Sequence, residues 1–222
     1  LLHEFVEGGY LPEAVINFLT NIGWSFGDDR EVFTVQETIE RFDLSRVNPA
    51  GGAFPIEKLD WLNGVYIREM DDDELAGRLL PVFTGAGYAV DLERVRRVVP
   101  LIKVRIKTLN DALDRAGFIF SDSFAPPPAD QIIQKGMDAA STRAALGAAA
   151  EALAALPDFS AATQEAAMRA LAEQLGLKAG QLFGALRAAT TGQQVSPPLF
   201  ETMEVLGREE SLKRIRLAIG SL

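Results

Sequence analysis

Apolar positions recur at three- and four-residue intervals along most of this chain, and the runs are punctuated by glycine, proline and capping residues. That periodicity predicts amphipathic helices. Val15, Ile16, Leu19 and Ile22 follow Pro12, which suits a first helical turn, and Gly23 closes the segment. Gly27-Asp28-Asp29 is turn material, and Glu31 to Val35 is short and β-prone. Thr34 with Glu37 has the form of a capping box that opens a helix to about Phe42. Asn48 to Gly52 reads as a loop. Ile56, Leu59 and Leu62 or Asn63 mark a helix interrupted by Gly64, and Val65 to Ile67 a short extended run.

From Asp71 onward the pattern is almost wholly helical. Asp71 to Asp73 can cap a segment carrying Leu75, Leu79, Leu80 and Phe83, and Gly85 with Gly87 ends it. Asp91 can cap Leu92 to Val99, with Pro100 expected to kink or divide the basic segment there, and Thr108 with Asp111 opens another helix. Ala125-Pro126-Pro127-Pro128 is the clearest linker, because consecutive prolines join neither helix nor ladder. Beyond it lie an alanine-rich helix from Thr142 to Leu156, a helix capped by Ser160 or Thr163, and another from Gln181 to Thr190. A loop from Gly192 to Pro198 and a final pair of helices complete the chain. The expected fold class is mainly α: a small mixed region over residues 1–70, then helical bundles over 71–126 and 127–222.

Composition narrows the chemistry. There is no cysteine among the 222 residues, which excludes disulfides, thiolate zinc sites and a cysteine nucleophile. His3 is the only histidine, so a histidine-based triad could draw only on a residue at the terminus. Asp28-Asp29 and Asp71-Asp72-Asp73-Glu74 fall in turns or helix starts, where acids satisfy unpaired N–H groups; no metal ligand and no catalytic residue is assigned. No stretch approaches the roughly 18 to 20 apolar residues of a membrane helix, so no membrane partner is expected. The opening Leu1-Leu2-His3-Glu4 has no signal-peptide character and reads as part of a longer protein. A formal charge of −9 argues against a general nucleic-acid binder. The distribution matters more: Arg94, Arg96, Arg97, Lys103, Arg105 and Lys107 run without an intervening acid, and Lys213, Arg214 and Arg216 form a second basic cluster.

Four runs, in order along the chain, resemble the C-terminal, tRNA-binding half of bacterial glutamyl-tRNA synthetases. The first is Phe5-Val6-Glu7-Gly8-Gly9-Tyr10-Leu11-Pro12-Glu13-Ala14, and the second is Phe54-Pro55-Ile56-Glu57-Lys58-Leu59-Asp60-Trp61-Leu62-Asn63-Gly64-Val65-Tyr66-Ile67-Arg68. The third is Leu101-Ile102-Lys103-Val104-Arg105-Ile106-Lys107-Thr108-Leu109. The fourth is Leu186-Arg187-Ala188-Ala189-Thr190-Thr191-Gly192 with Ser196-Pro197-Pro198-Leu199-Phe200-Glu201 and Leu206-Gly207-Arg208-Glu209. The family's catalytic Ser-Lys-Arg loop would fall just before Leu1, and its histidine-containing ATP motif has no counterpart here. The match between Phe120 and Ala170 is by position more than by residue identity.

The resemblance implies a stem-contact region followed by two helical anticodon-binding domains. It implies that Arg105 reads the last anticodon base, and that Arg187, Ser196, Pro197 and Leu199 enclose the first. Lys58, Trp61, Arg68, Lys103 and Lys107 are the implied contacts to the tRNA stem and backbone. The partners implied are the tRNA for glutamate and the catalytic half of the same polypeptide, in a cytoplasmic monomer. No cofactor belongs to this portion; ATP with magnesium serves the full-length ligase. For Trp61 and Tyr66 plain core packing is the alternative, and for Arg105 a solvated cationic face. A different class of function, a helical protein-interaction module without RNA binding, suits the same acidic amphipathic helices, and salt dependence of RNA binding separates the two.

Overall fold

The computed structural model describes residues 2–48, 55–121 and 123–222. Pro49 to Gly52 of the expected loop, and Phe54 at the head of the second run, lie outside them, as does Leu1. Contacts divide the chain into two compact units, 1–114 and 115–222. In the first lie α1 (Leu2–Glu7), α2 (Pro12–Gly23), α3 (Val35–Arg41), a 3-10 turn (Leu44–Arg46), α4 (Ile56–Glu69), α5 (Asp72–Gly85) and α6 (Leu92–Ile102). The next helix, α7 (Asp111–Phe120), runs through the division. The second unit holds α8 (Ala129–Ile132), α9 (Ala139–Ala154), α10 (Ala161–Gln174), α11 (Ala179–Thr191), α12 (Leu199–Leu206) and α13 (Arg208–Gly220). No strand occurs among the described residues.

The β-prone segments are settled by where their polar groups go. Near Glu31 to Phe33 the backbone pairs with side chains rather than with another strand. Glu31 O accepts from Asn17 Nδ2 at 2.9 Å and Asn21 Nδ2 at 2.7 Å, and Phe33 N donates to Asn17 Oδ1 at 3.1 Å. The segment joins no ladder, so the expected strand does not form. Val65 to Ile67 and Gly64 both lie inside α4, contrary to expectation. Leu59, Leu62, Asn63 and Ile67 are all buried, a helical stripe whose burial outweighs the local preference of a β-branched run. Pro100 sits in the last turn of α6 without dividing it.

Four of the expected caps form, whereas the alanine-rich helix starts at Ala139, capped by Asp138, ahead of the expected Thr142. Thr34 and Glu37 form the reciprocal capping box, and Asp71, Asp91 and Ser160 each accept from backbone N–H groups at the starts of α5, α6 and α10. In the second unit, Ala145, Leu146, Ala149 and Leu153 of α9 and Leu182, Ala185, Leu186 and Ala189 of α11 share one core with Met168, Met203 and Ile215. Alanine there lets helices approach closely while leucine and methionine fill the gaps. The proline run at 126–128 falls within this unit, past the division at 114/115. The reason is local: Phe118 O accepts from Arg214 Nη2 at 3.0 Å, and the Phe124 ring lies 4.4 Å below the same guanidinium. Those contacts bind the stretch before the prolines to α13.

Candidate nucleic-acid interface

In the first unit, three of the four signature runs meet at one polar hub. Tyr10 OH donates to Asp60 Oδ1 at 2.6 Å, and Leu11 N donates to Asn63 Oδ1 at 2.8 Å. Asn63 Nδ2 in turn donates to Lys107 O, two residues past Arg105. Gly9 O accepts from Leu109 N at 2.9 Å, and Asn110 Nδ2 reaches Glu7 O at 2.7 Å. Gly9 has φ +77°, and an added Cβ would sit 2.7 Å from Asn110 N, so this approach of backbone to backbone requires glycine. Burial and the neighbouring Asp60 carboxylate push the Tyr10 hydroxyl up to about 12, so it stays protonated and donating. The Tyr66 hydroxyl, also raised to about 12 by burial and nearby Glu13, Glu69 and Glu37, donates to Asn17 Oδ1 at 3.0 Å and to Phe33 O. Tyr66 is thus a core strut.

The hub fixes the segment after α6. Ile106 is buried and anchors it, while Arg105 and Lys107 on either side are exposed. Asp111 Oδ2 accepts from Lys107 N at 2.7 Å and Thr108 N at 3.0 Å, holding the turn. Arg105 Nη1 donates to Leu101 O at 3.1 Å, placing a cation at the C-terminal end of α6, where the helix dipole favours it. No carboxylate pairs with Arg105 or Lys107 among the described residues. Lys103 differs: its ammonium donates to Met70 O and to Asp72 Oδ1 at 2.7 Å.

On α4, Trp61 and Arg68 are seven residues apart and therefore share a face. Trp61 is 45% exposed, and Arg68 is exposed with no ion pair among the described residues. Lys58, one turn before Trp61, is instead paired with Glu31 Oε1 at 2.5 Å. Of the five stem and backbone candidates, Trp61, Arg68 and Lys107 present unpaired surface, and Lys58 and Lys103 are held by carboxylates.

In the second unit, α11 and the loop after it bring Arg187, Ser196 and Pro197 together. Gly192, at φ +72°, ends α11 in the left-handed conformation, and Thr191 Oγ1 accepts from Gln193 N at 3.2 Å to fold the chain back. Arg187 Nη1 then donates to Ser196 Oγ at 2.7 Å, Pro197 O at 2.9 Å and Ser196 O at 3.4 Å. All three acceptors are neutral and all use one nitrogen. Nε and Nη2 have no partner among the described residues, and no carboxylate neutralises the half-buried charge. Burial lowers the Arg187 pKa, yet a guanidinium remains ionised at neutral pH. Leu199 is 4% exposed and packs into the core, so it backs the loop from beneath.

One residue was grouped by sequence with the wrong environment. Arg214, placed in a basic cluster with Lys213 and Arg216, is only 1% exposed. Its Nε donates to Glu210 Oε1 at 2.8 Å, Nη1 to Thr190 O at 3.0 Å and Nη2 to Phe118 O at 3.0 Å. It belongs to the interior, beside the arginine loop, and not to a cationic face. Burial pushes the Glu210 carboxyl up, but the hydrogen bonds and charges of Arg214 and Lys213 prevail and hold it below the usual range. A depressed folded pKa contributes stability above the unfolded value of about 4.3, lost as pH falls through the folded one. Urea midpoints between pH 3 and 6 should therefore decline less steeply in Glu210→Gln than in the parent; parallel curves would remove Glu210 from the acid response.

Known proteins resemble this chain along nearly its whole length. Residues 74–219 match the model of the anticodon binding domain, and residues 2–61 match that of the tRNA synthetase class I (E and Q) catalytic domain. The second match carries the catalytic-domain family into the region read from sequence as stem-contacting. The chain is 45% identical over 224 residues to a glutamate–tRNA ligase of Dehalococcoides mccartyi strain CBDB1, covering 99% of this chain and 46% of that protein. It is 44% identical over 226 residues to a glutamate–tRNA ligase of Roseiflexus sp. strain RS-1, covering 99% and 44%. Among solved structures, a glutamate tRNA ligase from Elizabethkingia meningosepticum in complex with its amino acid superposes with TM-score 0.87 at 30% identity, over 98% of this chain and 43% of that one. The chain thus spans about half the length of the relatives it matches.

Proposed function

Because this chain belongs to the anticodon binding domain family, we propose that it is the RNA-gripping portion of a glutamate–tRNA ligase, holding the anticodon loop and inner stem of glutamate tRNA. The observation that carries this reading is the Arg187 guanidinium, tethered through one nitrogen to a proline-stiffened loop with its other donors open and its charge unneutralised. Even a half-buried cation ordinarily has partners for most of its donors. A splayed base or a phosphate supplies the missing acceptors, and single-stranded loops are where RNA sequence is read. Pro197 and Pro198 limit the conformations lost on binding.

Roles divide by region. Residues to about 70 touch the inner stem, with Trp61 and Arg68 on α4 foremost; residues 71–126 carry Arg105 to the last anticodon base; and 127–222 carry Arg187, Ser196 and Pro197, backed by Leu199, to the first. Lys107 contributes charge against the RNA backbone, whereas Lys58 and Lys103 join only by exchanging Glu31 and Asp72 for phosphates. Glutamate activation with ATP and magnesium, and transfer to the terminal adenosine, belong to the rest of a longer cytoplasmic, monomeric polypeptide; the residues here bind and orient.

Titration of the chain with glutamate-tRNA anticodon stem-loops tests the proposal. Affinity should fall steeply with rising salt, as cation–phosphate contacts require, and a salt-independent or absent interaction would favour a protein-interaction module. A planar fork at 105 should prefer cytosine over guanine at the last anticodon position. In Arg105→Gln that preference should shrink by about 1–3 kcal/mol, the worth of a good base contact. An unchanged ratio would take Arg105 out of the reading set.

A further inference from the structure

One polar side chain interrupts the apolar stripe that α4 buries. Leu59, Leu62 and Ile67 line that stripe, and Asn63 among them is 0% exposed. Leucine has the same branched outline and would occupy the place without the cost of burying an amide. The amide is spent in two directions instead: Oδ1 accepts from Leu11 N, and Nδ2 donates to Lys107 O. An ionised aspartate of the same shape could make the first bond and not the second. Gly64, the next residue, continues the approach. A Cβ there would stand 3.8 Å from Ile106 O and 3.0 Å from Arg68 Nη1. Helix α4 therefore lies against the turn after α6 at two consecutive residues, Asn63 at Lys107 and Gly64 at Ile106.

That turn carries Arg105 and has no regular structure of its own, since residues 103–110 belong to neither helix nor strand. Arg105 N donates to Ile102 O at 2.7 Å, and Asp111 Oδ2 accepts from Lys107 N and Thr108 N, which closes the turn upon itself. Its hold on the body comes from the buried Ile106 side chain, from Leu109 N on Gly9 O at 2.9 Å, and from Asn63 on Lys107 O. Of the two hydrogen bonds, the Asn63 bond is the nearer to Arg105: Lys107 lies two residues on, at most about 7.6 Å away between Cα atoms. Telling one base edge from another depends on the direction of a hydrogen bond as well as its length. A reading group keeps that geometry to within roughly 0.5 Å only when the bonds behind it are fixed. We infer that Asn63 is a positioning residue for base discrimination: through Lys107 O, its buried amide sets where the Arg105 guanidinium meets the last anticodon base. The role rests on Arg105 reading that base and deepens it, because discrimination then depends on an α4 residue outside the RNA-contacting set.

Titrating the chain with glutamate-tRNA anticodon stem-loops that carry cytosine or guanine at the last anticodon position tests this role. Asn63→Ser withdraws the donor from Lys107 O, and the cytosine-to-guanine affinity ratio should fall roughly three- to tenfold, a part of the worth of one base contact. In an Arg105→Gln background the same substitution should change the ratio by less than about twofold, since the preference it acts through is already gone. Asn63→Asp keeps the acceptor for Leu11 N and removes only the donor, so it should lose the ratio as far as Asn63→Ser does. A measurement on the parent needs no substitution and no refolding. The side-chain amide resonance of Asn63 should shift when the cytosine loop is added and move less with the guanine loop at equal saturation. A purely structural role would instead lower affinity for both loops alike, with the urea midpoint falling and the ratio intact. That outcome in the folded variants, an equal loss of ratio in the Arg105→Gln background, or an Asn63 resonance that responds alike to both loops would each overturn the positioning role. A parental ratio in Arg105→Gln sinks the reading of Arg105 itself, whereas a ratio lost there and kept in both Asn63 variants sinks the role of Asn63 alone.

Discussion

Arg214→Ala should cost the second unit about 3–5 kcal/mol, the range found when one member of a buried ionic network is removed. Three acceptors converge on this side chain: Glu210 Oε1, Thr190 O and Phe118 O. Glu210 is partly exposed and can rehydrate, so its loss is modest. The two carbonyls are the larger matter, since a buried polar group left unpaired costs roughly 1–3 kcal/mol. The truncation also empties the space above the Phe124 ring, adding a cavity term. Arg214→Met separates the contributions, because it keeps most of the volume and none of the donors. Urea denaturation followed by far-UV circular dichroism should place Arg214→Met between the parent and Arg214→Ala. A loss below about 1 kcal/mol for the alanine variant, under the typical value of one buried network, would show that the carbonyls find other partners.

That arginine also shows where reading the sequence stops. Lys213-Arg214-Ile215-Arg216 looks like a basic surface when residues are counted along the chain. On a helical wheel Arg214 sits with Ser211, Ile215 and Ala218, all buried, and Glu210 stands four positions before it. The register carried the signal, but whether a cation on an apolar face is satisfied depends on carbonyls ninety-six and twenty-four residues away, at Phe118 and Thr190. No local pattern reports them. The caps were legible for the opposite reason: Thr34 with Glu37, or Asp91 with Arg94, complete their bonds within one turn. The strand expected near Glu31 failed because its backbone partners, Asn17 and Asn21, are side chains of α2.

Three of the four signature runs prove to be joined. Tyr10 and Asp60 spend polar groups on each other, and Asn63 bonds Leu11 N and Lys107 O, so these residues brace the segment that carries Arg105. Arg208, in the fourth run, donates to Leu156 O at 2.7 Å and lies over Phe159, tying α13 to the end of α9. Resemblance locates such residues but not their direction. What separates a contact residue from a strut is whether donors remain unspent after the protein's own acceptors are counted.

Arg187 meets that criterion while half-buried, with Nε and Nη2 unspent, and Arg187→Ala should weaken binding of the glutamate anticodon stem-loop by about 1–3 kcal/mol, the worth of one base contact. Three variants distinguish base recognition from loop support. Arg187→Lys retains a charge but not the fork that binds Ser196 and Pro197 while leaving Nε and Nη2 open, so it should recover little of the affinity. Ser196→Ala removes the 2.7 Å tether and leaves the guanidinium intact, so its loss should be smaller than that of Arg187→Ala. Arg187→Ala itself should reduce the slope of log affinity against log salt by about one only if the contact is to phosphate; an unchanged slope assigns it to the base. Helix content should match the parent in each, because the bonds lost lie in the loop after α11 and not in its ladder. Affinity within twofold of the parent for Arg187→Ala, with the fold intact, would mean that the open donors of this side chain face water in the complex as well.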